Sequence, residues 1–229
     1  VMATETSSRF LTIEGVLDLK TISDVQMSPD GNRIVFVVAD GFKPHDEPAQ
    51  SRIWIVDVGS GSARVLTGGP RSDKEPRWSP DGKRLAFTSD RADKGKHQLY
   101  VIHIEAGEAR RVVETPAKVT QPAWSPDGRY VAFVAADAET EAEKKRKEEH
   151  DDAAVADESP KFDRLCVADV AAGTWRQVTQ GDAHVWEFDW SPDGSRFVLL
   201  TAPRPGDDGW FDPELSIVSC DGGVPQRLV

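Results

Sequence analysis

At 229 residues the chain is long enough for one all-β domain or two small ones. Its 39 acidic and 28 basic residues leave a net charge of −11, which argues against nucleic acid and anionic membranes as partners. Residues 137–158 alone hold ten acids and four bases, so the rest of the chain carries an ordinary −5.

Residues 1–23 read as an N-terminal segment, polar to residue 9, then helix-prone from Phe10 to Leu19. Thr12 is the expected N-cap, and Val16, Leu17 and Leu19 give a short apolar face weakened by Gly15. Glu5, Arg9, Glu14 and Asp18 make this region unlike a secretion signal, and no apolar run is long enough to span a bilayer.

Four copies of one motif follow: Met27-Ser28-Pro29-Asp30-Gly31, Trp78-Ser79-Pro80-Asp81-Gly82, Trp124-Ser125-Pro126-Asp127-Gly128 and Trp190-Ser191-Pro192-Asp193-Gly194. Their first residues stand 51, 46 and 66 positions apart, so the chain is a repeat protein. Proline pre-sets φ for the second position of a type I turn, aspartate suits the third, and glycine takes the left-handed conformation after it. Apolar alternation resumes at once, as at Ile34 and Phe36 or Leu85 and Phe87, which reads as strand, tight hairpin, strand. The tryptophans should be buried anchors, each worth at most about 4–6 kcal/mol. Four equivalent turns cannot all be one active site, so the motif is read as scaffold.

Each repeat divides into four strand-like pieces. The first has Val25–Ser28, Arg33–Ala39, Arg52–Val58 and Ala63–Thr67; the second Glu75–Ser79, Arg84–Ser89, Gln98–Ile104 and Ala109–Glu114. The third has Gln121–Ser125, Tyr130–Ala135, Arg164–Val170 and Thr174–Thr179; the fourth Glu187–Ser191, Arg196–Thr201, Glu214–Ser219 and Pro225–Val229. The predicted fold is an all-β propeller of four four-stranded antiparallel blades over 24–229. The blades span about 24–70, 71–116, 117–181 and 182–229, with a charged insertion at 136–163 in the third. Short Ser-Pro-Asp-Gly and glycine turns share one face of the disc. The long loops Asp40–Ser51, Asp90–Lys96, Ala136–Asp163 and Pro203–Pro213 share the other, which is the expected partner or substrate face. Within the insertion, Glu141–Lys145 and Glu143–Lys147 have helical i,i+4 spacing.

No residue is assigned to catalysis, to a cofactor or to a metal. A Gly-x-Ser-x-Gly elbow between strand and helix is absent, and Gly59-Ser60-Gly61-Ser62 belongs to a hairpin. His45, His97, His103, His150 and His184 lie outside metal motifs and read as loop or surface histidines. Asp207, Asp208, Asp212 and Glu214 around Trp210 read as a solvated turn. Cys166 and Cys220 fall at non-equivalent repeat positions, so free thiols are expected. That suits a reducing, cytoplasmic setting, or a periplasmic one if a leader has been removed.

Repeated Trp-Ser-Pro-Asp-Gly followed by Arg-x-x-Ala-Phe resembles the TolB-type propeller repeat. The opening Leu11-Thr12-Ile13-Glu14-Gly15-Val16-Leu17, then Ser23 to Gly31, resembles the start of prolyl oligopeptidase family serine peptidases, in particular the acylaminoacyl-peptidase-like branch. The charged stretch Glu143–Glu149 and the later Leu165–Val170 fit that branch too. The resemblance implies that the chain is part of a seven- or eight-bladed N-terminal propeller. The propeller would restrict and position oligopeptides for a C-terminal α/β-hydrolase domain absent from this chain. The chain alone would then be non-catalytic, with a serine peptidase of acylaminoacyl- or dipeptidyl-peptidase type as its parent. The alternative is a free-standing TolB-like propeller acting as a protein–protein interaction module. Four blades by themselves leave two open end faces, so the chain is expected to self-associate or to close as an irregular four-bladed ring.

Overall fold

The computed structural model describes residues 15–16, 18–41, 50–69, 71–105, 107–141, 143, 145, 161–206 and 211–229. Among these, sixteen strands form four antiparallel four-stranded sheets, each in simple chain order. Blade 1 is β1 (Lys20–Met27), β2 (Arg33–Asp40), β3 (Ser51–Asp57) and β4 (Ala63–Val65). Blade 2 is β5 (Asp73–Trp78), β6 (Arg84–Ser89), β7 (Gln98–His103) and β8 (Ala109–Arg111). Blade 3 is β9 (Val119–Trp124), β10 (Tyr130–Ala136), β11 (Asp163–Asp169) and β12 (Thr174–Gln177). Blade 4 is β13 (His184–Trp190), β14 (Arg196–Ala202), β15 (Glu214–Ser219) and β16 (Gln226–Arg227). Gly15 and Val16 are helical, whereas Thr12 and the start of the expected helix lie outside the described residues.

The repeated turns follow from their residues. In each, the glycine amide donates to the serine carbonyl at 2.8–2.9 Å, closing the turn, and the glycine sits at φ 66–73°. The serine hydroxyl donates to the aspartate at 2.5–2.6 Å and accepts from the amide five residues after the serine at 2.9 Å. The aspartate also accepts the amide two residues after itself, at 3.0–3.1 Å. The serine hydroxyl is the main reason why all four carboxyls sit below their usual range, Asp30 and Asp193 at about 2.

The first strands begin earlier than their alternation predicts. The register slips between Ser23 and Gln26, Lys74 and Arg77, and Val185 and Glu187, and in blade 3 opposite Ala132 to Val134. Asp24, Glu75 and Gln121 occupy the bulges of blades 1, 2 and 3 at φ 49–54°. A bulge breaks the two-residue period, and pairing resumes on its far side at Lys20, Asp73, Val119 and His184. The fourth strands are shorter than predicted. After β4 and β12 the chain turns in, and the hydroxyls of Thr67 and Thr179 accept the amides of Ile53 and Leu165 at 3.1 Å.

The core lies between blades. Val35, Ile53, Ile55 and Leu66 of blade 1 pack against Leu85, Phe87, Tyr100 and Ile102 of blade 2, and the next two interfaces repeat the arrangement. Three contacts recur at each joint. The tryptophan indole N–H donates to a carbonyl on the first strand of the preceding blade: Trp78 to Gln26 at 3.3 Å, Trp124 to Arg77 at 3.0 Å, Trp190 to Ala123 at 3.2 Å. The turn glycines Gly82, Gly128 and Gly194 sit over the prolines of the preceding turns, Pro29, Pro80 and Pro126, so close that an added Cβ would lie 3.5–3.7 Å from the ring. At the rim Arg64 donates to the Ile104 carbonyl at 3.3 Å, and Arg110 and Arg176 donate alike to Val170 and Cys220.

Two expectations are corrected. Only Trp124 is a fully buried anchor; Trp78 and Trp190 are partly exposed. The reason is local: the Arg84 guanidinium lies 4.7 Å over the Trp124 ring while donating to Gly128 O at 2.9 Å. Its equivalent in blade 1, Arg33, turns to Glu105 at 3.8 Å instead. Nor, among the described residues, do the blades close into the four-bladed ring that is one of the two expected outcomes. Ile22, Val25 and Met27 on blade 1 and Val198, Leu215 and Leu228 on blade 4 remain exposed, leaving an open arc.

Candidate functional site

The first strands of blades 1, 2 and 3 lie side by side, so their bulges form a polar ladder across the arc. Arg77 lies 4.0 Å from Asp24. The Glu75 carboxylate accepts from the Gln121 amide and the Thr88 hydroxyl, both at 3.0 Å. Gln121 then donates its side-chain N–H to the Trp186 carbonyl at 2.9 Å. Three non-glycine residues with positive φ therefore stand at matching heights in three blades, each tied to a neighbouring blade. Left-handed backbone at such residues costs on the order of 1–2 kcal/mol each. The cross-blade bonds hold it in place and aim these polar groups along the first strands.

On the long-loop face, blade 2 carries a buried charged cluster. Asp73 is paired with Arg91 at 2.9 Å, and the Arg91 guanidinium lies over Tyr100 and Phe87. Asp90 accepts the amides of Ser72 at 2.8 Å and Gly95 at 2.9 Å, pinning the 90–97 loop to the entry of β5. Burial opposes the Asp90 charge, but those amides and nearby cations hold its carboxyl below the usual range. Burial pushes His97 down, partly offset by Asp90.

In blade 3 the root of the charged insertion is firmly built. Arg164 grips Asp137 with two bonds, at 2.8 and 3.0 Å, and covers Phe162. Lys161 donates to Glu143 at 2.6 Å and to the Ala138 carbonyl at 2.8 Å. Thr140 and Glu143 form a reciprocal capping box at the start of the helical turn, and with Lys161 this holds the Glu143 carboxyl at about 2. The Thr140-x-x-Glu143 spacing is the sequence signature of this capping box. Lys147 of the expected i,i+4 pairs lies outside the described residues.

Among the histidines, His184 corrects the expectation of a loop or surface position. It opens β13, is buried, and its Nδ1 accepts the Asp163 amide at 3.0 Å. Burial lowers its pKa, with Asp163 opposing. His97 is half-buried and His103 is exposed at the end of β7, while His45 and His150 lie outside the described residues. Asp207, Asp208 and Trp210 also lie outside them; Glu214 belongs to β15 and pairs with Arg227 at 2.9 Å. Ser60 sits in its hairpin, where its amide and hydroxyl both donate to Asp57 at 2.8 Å. Cys166 and Cys220 are unpaired thiols; burial pushes Cys166 up to about 12. Among the described residues no group of histidine, cysteine and carboxylate side chains could hold a metal ion. The site offers hydrogen-bonding groups and charge for binding, on a rigid first-strand frame.

Sheets of this order, each with a Ser-Pro-Asp-Gly turn between its first two strands, define a β-propeller arc with a polar inner ladder. The chain belongs to the TolB beta propeller domain family, whose pattern matches residues 20–163. Over 83 residues it is 35% identical to the "Uncharacterized peptidase YuxL" of Bacillus subtilis, a match covering 36% of this chain and 12% of that protein. Over 80 residues it is 31% identical to Dipeptidyl-peptidase 5 of Porphyromonas endodontalis, covering 35% of this chain and 11% of that one. The acylaminoacyl peptidase of Pyrococcus horikoshii shares the fold with a TM-score of 0.64 at 18% identity, over 92% of this chain and 32% of the other. The chain thus corresponds to a small share of the peptidases it resembles.

Proposed function

We propose that this chain is the propeller part of a serine peptidase, and that it restricts and positions oligopeptides for a catalytic α/β-hydrolase domain elsewhere in the parent. The observation that carries this reading is the similarity to two proteins named as peptidases, in a chain that itself belongs to a propeller family. The bulge ladder supports it: carboxylate and amide groups held at fixed height suit recognition of a peptide backbone. Asp24, Glu75 and Gln121 are the residues assigned to positioning, and none to bond breaking.

A fluorophosphonate probe tests the reading. The parent polypeptide is expected to label at a serine outside residues 1–229, and the chain itself to stay unlabelled. Labelling within this chain, or no labelling of the parent, would contradict the reading. The second reading, a TolB-like interaction module, draws on the family match alone. It predicts no peptidase activity in the parent.

A further inference from the structure

The three internal joints share one backbone frame, so their side chains can be compared position by position. Arg33 pairs with Asp57 across β2 and β3, and the matching pairs in the next two blades are Arg84 with His103 and Tyr130 with Asp169. Arg64, Arg110 and Arg176 then reach across to Ile104, Val170 and Cys220, which are followed by Glu105, Ala171 and Asp221. At the joint between blades 2 and 3, Arg84 is engaged by Trp124 and Gly128, and His103 and Ala171 stand at the two acidic positions. At the joint between blades 3 and 4, Tyr130 takes the place of the first arginine. Of the three, only the joint between blades 1 and 2 carries both arginines and both carboxylates. There a groove of about 450 Å³ lies open over Ile55 and Ile104. Both its walls belong to blades joined within the chain, and it opens on the short-turn side, away from the long loops.

The charges around this groove do not satisfy one another. Arg33 meets Glu105 at 3.8 Å, beyond hydrogen-bond length. Arg64 donates to the Ile104 carbonyl through one nitrogen, and Asp57 accepts from Ser60 on one oxygen. Two guanidiniums and two carboxylates sum to zero, so a lone anion or a lone cation would meet repulsion along with attraction. A small zwitterion meets both signs favourably, and the isoleucine floor suits an apolar side chain. The volume is that of a small-ligand pocket. We propose that the groove binds a free α-amino acid with an apolar side chain. Its carboxylate lies on Arg33 and Arg64, its ammonium on Asp57 and Glu105, and its side chain over Ile55 and Ile104. Bound there, it bridges blades 1 and 2 as Arg84 bridges blades 2 and 3, and so acts as a removable cap on the joint.

The inference concerns binding rather than hydrolysis and does not rest on the peptidase reading. Calorimetric titration of the full polypeptide with L-leucine tests it. One saturable site with a Kd of about 1 mM or tighter is expected, within the efficiency of ligands of this size. Isocaproate lacks the ammonium and isopentylamine lacks the carboxylate, so each should bind about tenfold more weakly or worse. Arg33→Gln and Glu105→Gln change exposed side chains and should weaken leucine binding by a similar factor, with circular dichroism checking that both remain folded. Asp221→Asn, at the position matching Glu105 between blades 3 and 4, should leave binding unchanged. No saturable binding of leucine up to about 10 mM, ten times the expected Kd, would overturn the proposal. So would equal binding of either singly charged analogue, an equal loss in Asp221→Asn, or leucine binding that survives both Arg33→Gln and Glu105→Gln, which would place the site elsewhere in the polypeptide.

Discussion

The joint between blades 2 and 3 and the joint between blades 1 and 2 use the same parts but are sealed differently. At the former, Arg84 spans both blades, lying over Trp124 and donating to Gly128 O, and the indole is buried. At the latter, Arg33 reaches Glu105 instead, Trp78 stays partly exposed, and a groove of about 450 Å³ opens between Arg33, Arg64, Ile55 and Ile104. The same arginine, five residues after the turn serine, thus caps one joint and leaves the other open, where Glu105 engages it instead. Turns, glycines and prolines are shared scaffold; the partner that the neighbouring arginine engages differs from joint to joint.

The largest effect should come from removing the anchor itself. Trp124→Ala is expected to destabilise the chain by about 3–5 kcal/mol, and Trp78→Ala by about 1–3 kcal/mol, because less of its ring is buried. Urea unfolding of the two variants measures the gap, and equal losses would break the comparison. Next, Arg84→Met should cost about 1–2 kcal/mol through the lost carbonyl bond and ring contact. Arg33→Met should cost at most about 0.5 kcal/mol, as for a long surface ion pair.

The smallest effect separates the two faces of the disc by pH. His97 and His184, on the long-loop side, are held neutral by burial. Their contribution is fully present above the ordinary histidine value of about 6.5 and declines as pH falls below it. The turn aspartates behave otherwise. Their folded values lie below 3.8, two of them at about 2, so their contribution persists to the ordinary carboxylate range and is lost only as pH falls from there towards 2. Hydrogen exchange between pH 6.5 and 4.5 should therefore loosen the amides of Asp163 and Val119 before those of the four turn glycines. The reverse order would contradict this assignment.

The turns and the blade count were legible because Ser-Pro-Asp-Gly chemistry is local: every bond in it spans five residues or fewer. The bulges at Asp24, Glu75 and Gln121 were not, because a left-handed aspartate, glutamate or glutamine is stabilised by a neighbouring blade rather than by its own sequence. The second strands, by contrast, start where their alternation places them, at Arg33, Arg84, Tyr130 and Arg196. Burial of the tryptophans was only partly legible for the same reason. Trp78 and Trp124 sit in identical motifs, and what separates them is where the arginine of the preceding blade lies: Arg84 over the Trp124 ring, Arg33 towards Glu105. The buried His184 looked like a loop residue because β13 begins before its bulge.

The most direct test links the joints to the proposed role. In the parent polypeptide, hydrolysis of a fluorogenic short peptide is compared with that of a long unfolded substrate, for the wild type and for Trp124→Ala. A propeller that restricts access predicts strong preference for the short substrate in the wild type, and a lower short-to-long ratio once the joint between blades 2 and 3 is loosened. A wild type that cleaves both substrates equally well, or a ratio that Trp124→Ala leaves unchanged, would contradict the account.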